Sequence, residues 1–246
     1  MITHLKKQEM PNDYFQFKQF KINQARSGMK VTTEACLFAA LIEGSKSQSI
    51  LDIGSGTGLL GLMLAQRSTA EVSCVEIELS ASLDMEQNIK QSPWSNRING
   101  YHEDIQDFLV RRSGVYDTIV SNPPFYQGHL PAEHPQRRQA LHQSSLTYKI
   151  LVKAVKAALS PSGMFWVIYP FYESQVFHLY AEDLGVYRRS YINIYNKDGQ
   201  KNIFRQISCF GKKSEKCPVK EINIRNNKGD YSQDFIKLLK PYYLHL

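Results

Sequence analysis

The sequence has few cysteines and no long apolar run. Its four cysteines form no C-x-x-C pair, so their spacing indicates neither a zinc site nor a disulfide framework, and we expect no metal. The longest apolar run, Met164 to Tyr169, is far too short to span a bilayer, and no N-terminal stretch joins a basic start to a long apolar run. These absences predict a cytoplasmic protein with no membrane partner.

Positive charge is concentrated in the C-terminal third. The formal net charge is +7, and residues 188–228 hold eleven Lys and Arg against three acids. This asymmetry favours a polyanionic partner, although a solvated basic surface is the simpler alternative. The residues predicted to contact such a partner, an RNA, are Arg188, Arg189, Lys197, Lys201, Arg205, Lys212 and Lys213.

Short apolar strands alternate with amphipathic helices along most of the chain, which predicts a mostly parallel sheet with helices on both faces. The predicted parallel strands are 49–53, 72–75, 98–102, 118–120 and 164–169. The predicted helices are 33–43, 59–66, 80–90, 147–159 and 173–184. Two longer strands, 189–195 and 202–210, flank Asp198-Gly199 and predict an antiparallel hairpin that brings the sheet to seven strands. We expect a short hairpin or a lid within residues 1–30 and a mobile loop at 131–138.

A glycine loop follows the first of these strands, in the pattern Asp52-x-Gly54-x-Gly56-x-Gly58. The window that begins at Gly56 also matches the dinucleotide fingerprint, with Glu76 at the expected distance, so NAD is an alternative ligand. However, Asp52 precedes the glycines and would repel a pyrophosphate. S-adenosylmethionine has no phosphate and carries cationic groups that an acid favours, so the sequence predicts this cofactor.

Acidic residues also follow the next two strands. We expect Glu76 to accept both ribose hydroxyls, Asp104 to accept from the adenine amine, and the amide of Ile105 to donate to the adenine ring. Each acid has a simpler alternative: Asp52 caps a turn, Glu76 is a solvated strand end, and Asp104 caps a helix. Because the carboxyl ends of parallel strands meet at one edge, we prefer a shared binding role.

The motif Asn122-Pro123-Pro124-Phe125 follows a fourth buried strand. Two consecutive prolines end the strand and stiffen the loop, so an ordinary strand-ending turn is one interpretation. The alternative is catalytic: the Asn122 side-chain oxygen and the Pro123 carbonyl accept both hydrogens of one planar amino group, while Phe125 stacks on the attached ring. We take these four residues as the candidate catalytic set.

These motifs together resemble the class I methyltransferases that methylate amino groups, a Rossmann-like α/β fold. More specifically, the chain resembles the bacterial tRNA(Val) (adenine-N6) methyltransferases, through further stretches at 15–20, 29–33, 229–232 and 242–244. That family has Gly-Thr-Asp where this chain has Thr32-Thr33-Glu34, and often Tyr in place of Phe125. The resemblance implies methylation of the adenine just 3′ of the anticodon, adenine 37. The candidate cofactor-binding residues are Lys30, Thr32, Asp52, Gly54, Gly56, Gly58, Glu76, Asp104, Ile105 and Asn122.

The length of the chain favours a single domain, so we expect one methyltransferase domain over 1–246, with an N-terminal extension or lid at 1–30, a cofactor-binding core at 31–185, and a basic hairpin and tail at 186–246. Other activities share the Asn-Pro-Pro motif: N6 methylation of adenine in ribosomal RNA or DNA, and N5 methylation of a protein glutamine. The chain has little room for the target-recognition domain that DNA enzymes usually add. A non-enzymatic alternative is an RNA-binding protein with a vestigial cofactor fold.

Overall fold

The computed structural model describes residues 12–44, 46–112, 114–124 and 135–246, and for 135–146 the backbone alone. In chain order its strands are β1 (Tyr14–Gln16), β2 (Lys21–Asn23), β3 (Ser49–Ile53), β4 (Glu71–Glu76), β5 (Ile98–His102), β6 (Tyr116–Ser121), β7 (Leu159–Tyr169), β8 (Tyr187–Lys197), β9 (Arg205–Gly211) and β10 (Val219–Arg225). Its helices are α1 (Thr33–Leu41), α2 (Leu59–Ala65), α3 (Leu79–Lys90), α4 (Ile105–Arg111), α5 (Pro135–Ala158), α6 (Phe171–Asp183) and α7 (Gln233–Leu239).

The main sheet has the order β10-β8-β9-β7-β6-β3-β4-β5. The five strands from β7 to β5 are parallel, and β9 is antiparallel to both β7 and β8. This confirms the predicted Rossmann-like α/β fold with an antiparallel hairpin. Among the described residues the sheet has eight strands, so the predicted seven were one too few. The extra strand, β10, was missed because it is an edge strand in which four of the seven residues are exposed, three of them charged, and only Ile222 and Ile224 pack against the core.

Both faces of the sheet are covered by helices, as predicted. Residues of α1, α2, α3 and α7 belong to one hydrophobic cluster, and residues of α4, α5 and α6 belong to the other. The central strand β3 is buried on both faces, which explains why its sequence SILDI is nearly continuous in apolar residues. Its carboxyl end is therefore the fixed point from which the glycine loop leaves the core.

The described part of the N-terminal segment contains a hairpin, one of the two forms expected for residues 1–30. Strands β1 and β2 pair antiparallel, and Phe17 stacks on Phe20 with ring centroids 4.5 Å apart. Phe17 also forms an isolated bridge with Tyr243, and the backbone amide of Lys18 donates to the carbonyl of Tyr242 at 2.8 Å. The tail of the chain thus packs against its beginning.

Two sequence predictions need correction. Helix α5 begins at Pro135, twelve residues before the predicted 147, so 135–138 are helical, while 131–134 lie outside the described residues. The first turns were missed because they lack an apolar stripe, although they are rich in good helix formers. Helix α7 was also missed. It is capped by Ser232, whose hydroxyl accepts from the amide of Phe235 at 3.1 Å.

No helix in the described part of the chain is long and apolar enough to cross a membrane.

Candidate active site

A cavity of about 300 Å³ lies at the carboxyl edge of the sheet. Its walls come from the segment before α1, the first turn of α1, the glycine loop, the start of α2 and the motif after β6. The lining residues are Ser27, Met29, Lys30, Val31, Thr32, Glu34, Ala35, Gly54, Ser55, Gly56, Thr57, Leu59, Leu60, Asn122, Pro123 and Pro124. The structure therefore brings together the glycine loop and the Asn-Pro-Pro motif, which are more than sixty residues apart in sequence.

The glycine loop needs glycine for its backbone conformation. Gly54 and Gly56 have φ values of 68° and 56°, which side chains rarely tolerate, yet a Cβ at either position would meet no atom within 4 Å. The backbone is thus exposed to the cavity, where a ligand can approach it closely. Gly58, with φ of 81°, does not line the cavity but is the N-cap residue of α2.

Asp52 lies below the loop and is fully buried. Its Oδ2 accepts from the amide of Gly61 at 3.1 Å, while its Oδ1 has no hydrogen-bond partner among the described residues. Burial raises the pKa of the Asp52 carboxyl to about 7, the Gly61 hydrogen bond lowers it, and the charge of Glu76 raises it further. A buried acid that is poised to ionise near neutral pH fits a cationic ligand above the loop.

Glu76 ends β4 and is also buried beneath the loop. Its Oε2 accepts from the amide of Gly56 at 2.7 Å, and its Oε1 accepts from the amide of Glu78 at 2.8 Å. The side chain is not a solvated strand end. It supports the glycine loop rather than lining the cavity.

Asp104 and Ile105 follow β5, the strand next to the one that ends at Glu76, and neither residue lines the cavity. The Asp104 side chain caps α4, because its Oδ1 accepts from the amide of Gln106 at 2.7 Å. The capping role that was an alternative for Asp104 is therefore present in the structure. A backbone hydrogen bond of 3.1 Å from Glu103 to the carbonyl of Glu76 keeps the two strand ends adjacent.

The Asn-Pro-Pro segment forms one wall of the cavity. Asn122 is half-buried and Pro123 is buried, while Pro124 is exposed at the rim. The segment is held by Ser121, whose hydroxyl donates to the carbonyl of Ile53 at 2.8 Å and so ties β6 to β3. Phe125 lies outside the described residues.

Lys30 and Thr32, two of the residues predicted to bind the cofactor, line the cavity. The Lys30 ammonium donates to the carbonyl of Gln24, and the Thr32 hydroxyl accepts from the amide of Ala35 at 3.2 Å to cap α1. Both residues therefore also have structural contacts that shape the N-terminal wall.

Sequence reasoning missed the polar contacts that hold this wall. Asp84, almost fully buried on α3, accepts from the amides of Arg26 and Ser27, each at 2.9 Å. Asn88, one turn later, donates to the carbonyls of Asn23 at 2.9 Å and Thr57 at 3.0 Å. Asp84 and Asn88 are four residues apart on the buried face of α3, among Ala81, Met85 and Ile89, and this pattern was the available signal.

The predicted RNA-contacting residues divide between the two ends of the sheet. In the antiparallel hairpin, Ile194 pairs with Arg205 and Tyr187 pairs with Gly211, while Gln206 pairs with Tyr169 at the carboxyl edge. Residues at the site edge are Lys197, Lys201 and Arg205. Residues at the opposite edge are Arg188, Arg189, Lys212 and Lys213.

Several of these cations already have protein contacts. Arg205 forms an ion pair of 3.2 Å with Glu34, which lines the cavity. Arg189 is paired with Glu215, and the Arg188 guanidinium lies 4.5 Å from the ring centroid of Tyr191. The seven residues therefore do not form one continuous surface.

Comparison with known proteins gives the family. Residues 26–176 match the family model of the methyltransferase small domain. A tRNA1(Val) (adenine(37)-N6)-methyltransferase from Photorhabdus laumondii is 34% identical over 241 residues, covering 97% of this chain and 98% of that protein. One of the same name from Bacteroides fragilis is 36% identical, covering 96% and 100%. The chain belongs to the tRNA1(Val) (adenine(37)-N6)-methyltransferase family.

Solved structures support the fold of this methyltransferase. A predicted O-methyltransferase from Agrobacterium tumefaciens superposes with a TM-score of 0.64 at 15% identity, covering 84% of this chain and 95% of that one. A TehB-like S-adenosylmethionine-dependent methyltransferase from Corynebacterium glutamicum gives 0.51 at 18% identity, covering 77% and 92%. At these identities the likeness concerns the fold alone.

The cofactor of this methyltransferase is S-adenosylmethionine, as predicted. The site fits it. The open backbone at Gly54 and Gly56 lets a ligand approach, and apolar side chains such as Leu59 and Leu60 line the cavity. Below the loop, the Oδ1 of buried Asp52 has no hydrogen-bond partner within the described part of the chain, and an ionised carboxyl at this position would fit a cationic cofactor.

Proposed function

We propose that this methyltransferase transfers a methyl group to the exocyclic N6 of adenine 37, next to the anticodon of tRNA(Val). The observation that carries the proposal is the position of Asn122 and Pro123 at the wall of a cavity that also contains the glycine loop. The name of the full-length relatives supports the same substrate. A tRNA substrate is also consistent with a cytoplasmic location.

In this proposal Asn122 and Pro123 activate the amino group of the target base. The N6 lone pair is delocalised into the purine, so the amine is a poor nucleophile while its hydrogens lie in the ring plane. The side-chain oxygen of Asn122 and the carbonyl of Pro123 accept those hydrogens and orient them. As positive charge develops on N6 during transfer, the two oxygens stabilise the transition state more than the ground state.

The residues proposed to hold the cofactor surround the glycine loop. S-adenosylmethionine, when bound, supplies a methyl group on a cationic sulfonium. Gly54, Gly56 and Thr32 bring backbone and hydroxyl groups to it, while Lys30 shapes the wall and Gly58 is the N-cap residue of α2. Asp52 provides negative charge from below the loop. Beyond the cavity lining, Glu76 is proposed to accept hydrogen bonds from the ribose hydroxyls and Asp104 from the adenine amine, while the amide of Ile105 is proposed to donate one to the adenine ring.

The target base must leave its stack to reach the cavity. This costs little in an anticodon loop and much more in a duplex, which favours a loop substrate over duplex DNA. Phe125 and Pro124 are proposed to face the extruded base, with the ring of Phe125 stacking on it.

The decisive experiment compares substrates. Purified protein and labelled S-adenosylmethionine are incubated separately with unmodified tRNA(Val), ribosomal RNA, duplex DNA and a glutamine-containing peptide, followed by nucleoside mass analysis. N6-methyladenosine in tRNA(Val) alone, lost when adenine 37 is replaced by guanine, is the expected result. Label in ribosomal RNA, DNA or peptide would overturn the substrate, and no label despite measured cofactor binding would indicate a binding protein.

A further inference from the structure

Two exposed aromatic rings lie at the carboxyl edge of the sheet. After β7 ends at Tyr169, Pro170 is followed by Phe171 and Tyr172, which begin α6 and are 43% and 59% exposed. Strand β7 lies next to β6, which carries the Asn-Pro-Pro motif. The rings therefore occupy the sheet edge at the strand adjacent to the catalytic segment.

Two basic loops lie further along the same edge. The loop after β8 and the loop after β10 are adjacent, because the amide of Asp198 donates to the carbonyl of Arg225 at 2.9 Å. A Cβ at Gly199 would lie 3.9 Å from the side-chain oxygen of Asn227. Three exposed lysines lie here: Lys197 at the end of β8, and Lys201 and Lys228 in the two loops.

The loops connect to the cavity through β9. Its first residue, Arg205, is paired with Glu34 of the cavity wall at 3.2 Å. Strands β6 and β8 are separated by three inter-strand steps, which is roughly 14 Å at the usual spacing between neighbouring strands. Along this edge the order is thus cavity, aromatic rings, ion pair and lysines.

We propose that Phe171, Tyr172, Lys197, Lys201 and Lys228, the aromatic–basic rim, bind the single-stranded RNA loop on either side of the target adenine. The rings stack on unpaired bases and the lysines contact the backbone phosphates, which is the usual combination in proteins that bind single strands. This inference rests on the proposed function and deepens it by naming the RNA surface of the same site.

The rim is chosen over the opposite edge for a geometric reason. Strand β8 has eleven residues, so its two ends are roughly 30 Å apart. The cluster around Arg188 and Lys212 therefore lies far from the cavity in which the base is methylated. The loops that carry these lysines also contain two acids, Asp198 and Asp230, which reduce the net positive charge. Binding of RNA by this surface therefore depends on the aromatic rings as well as on the lysines.

The test measures binding and turnover separately. Equilibrium binding of a fluorescent tRNA(Val) anticodon stem-loop is measured without cofactor, and KM and kcat are measured with the full tRNA. The rim variants are Phe171→Ala/Tyr172→Ala and Lys197→Ala/Lys201→Ala. The matched controls are Leu179→Ala, an exposed residue two turns along α6, and Lys46→Ala/Lys216→Ala, two exposed lysines near the opposite edge.

We expect the aromatic variant to raise Kd by about five- to a hundredfold for each base that no longer stacks on a ring. The lysine variant should reduce the slope of log K against log salt by about 0.7 for each phosphate that a lysine no longer neutralises. In both variants KM should rise while kcat at saturating tRNA changes little, and Tyr172→Phe, which retains the ring, should bind the stem-loop much more tightly than Tyr172→Ala. The controls should match wild type.

Unchanged Kd and KM in both rim variants, with wild-type turnover intact, would overturn the inference and leave the proposed function standing. An equal loss in the Lys46/Lys216 control would also overturn it, since the effect would then come from net charge. Rim-dependent binding of the stem-loop by a protein that methylates no RNA would support the rim and contradict the proposed function.

Discussion

The carboxylate of Glu76 and the backbone amide of Gly56 are joined by a hydrogen bond of 2.7 Å, so the end of β4 holds the middle of the glycine loop. Each carboxylate oxygen has a second lone pair. Glu76 can therefore support the loop and still accept from a ligand hydroxyl.

Replacing Glu76 with Ala should weaken cofactor binding. We expect a loss of about 1.5 to 3 kcal/mol, the usual range for hydrogen bonds to a charged group. Isothermal titration calorimetry with S-adenosylmethionine measures it, and Glu71→Ala, an exposed acid at the other end of the same strand, is the matched control. Wild-type affinity in the Glu76 variant would remove Glu76 from the cofactor site.

Replacing Asn122 with Ala should act on the chemical step. The variant loses one acceptor for the charge that develops on N6, so kcat should fall by about 100- to 1000-fold. Cofactor Kd should change little. Single-turnover methylation of tRNA(Val) is the measurement, with Asn99→Ala, an exposed asparagine on β5, as the control. Comparable turnover in the two variants would exclude Asn122 from the mechanism.

Cofactor binding should release a proton near neutral pH. Asp52 faces Glu76, Cys74 and the amide of Gly61, and burial raises its pKa to about 7. A cationic cofactor favours the ionised form, so affinity should rise as pH increases toward 7 and level off above it. Calorimetry in two buffers of different ionisation enthalpy detects the proton, and Asp52→Asn should abolish it. Identical heats in both buffers for the wild type would contradict this assignment.

The same pKa predicts the pH dependence of stability without cofactor. The unfolded carboxyl loses its proton near its ordinary value of 3.8, whereas the folded one keeps it until about pH 7. Between these values the folded state binds more protons, so the Asp52 contribution to the free energy of unfolding falls as pH rises. Urea unfolding measured at several pH values in this window should show that the free energy of unfolding declines less steeply with pH in the Asp52→Asn variant than in the wild type.

Replacing Asn88 with Ala should loosen the N-terminal wall of the cavity. Its side chain joins Asn23 to Thr57, and truncation leaves buried backbone groups without partners. We expect a loss of about 1 to 3 kcal/mol in the free energy of unfolding, together with weaker cofactor binding. Urea unfolding and calorimetry measure the two effects, and Glu86→Ala, an exposed neighbour on α3, should show neither.

The core of the fold was predictable because its signals are local. The apolar run of β3, the glycine loop and the start of α2 lie within about twenty residues, and each has its own steric requirement. The weaker elements were not predictable in this way. Strand β10 and helix α7 have short apolar patterns, and their stability comes from packing against β8 and the core.

The sequence by itself determined the class of protein, because Asp52 and the three glycines fall within seven residues and the Asn-Pro-Pro motif within three, so each motif carries its chemistry locally. Only the tertiary structure decided which of the basic residues lie at the carboxyl edge of the sheet and which lie at the opposite edge. The hairpin register sends Lys197 and Arg188 to opposite ends of the sheet, since successive residues along a strand advance by a fixed distance. The tertiary structure also brings Asn23 to Asn88, a residue 65 positions away in the chain, so that the two form a hydrogen bond. Such contacts depend on which segments pack together, which local sequence does not encode.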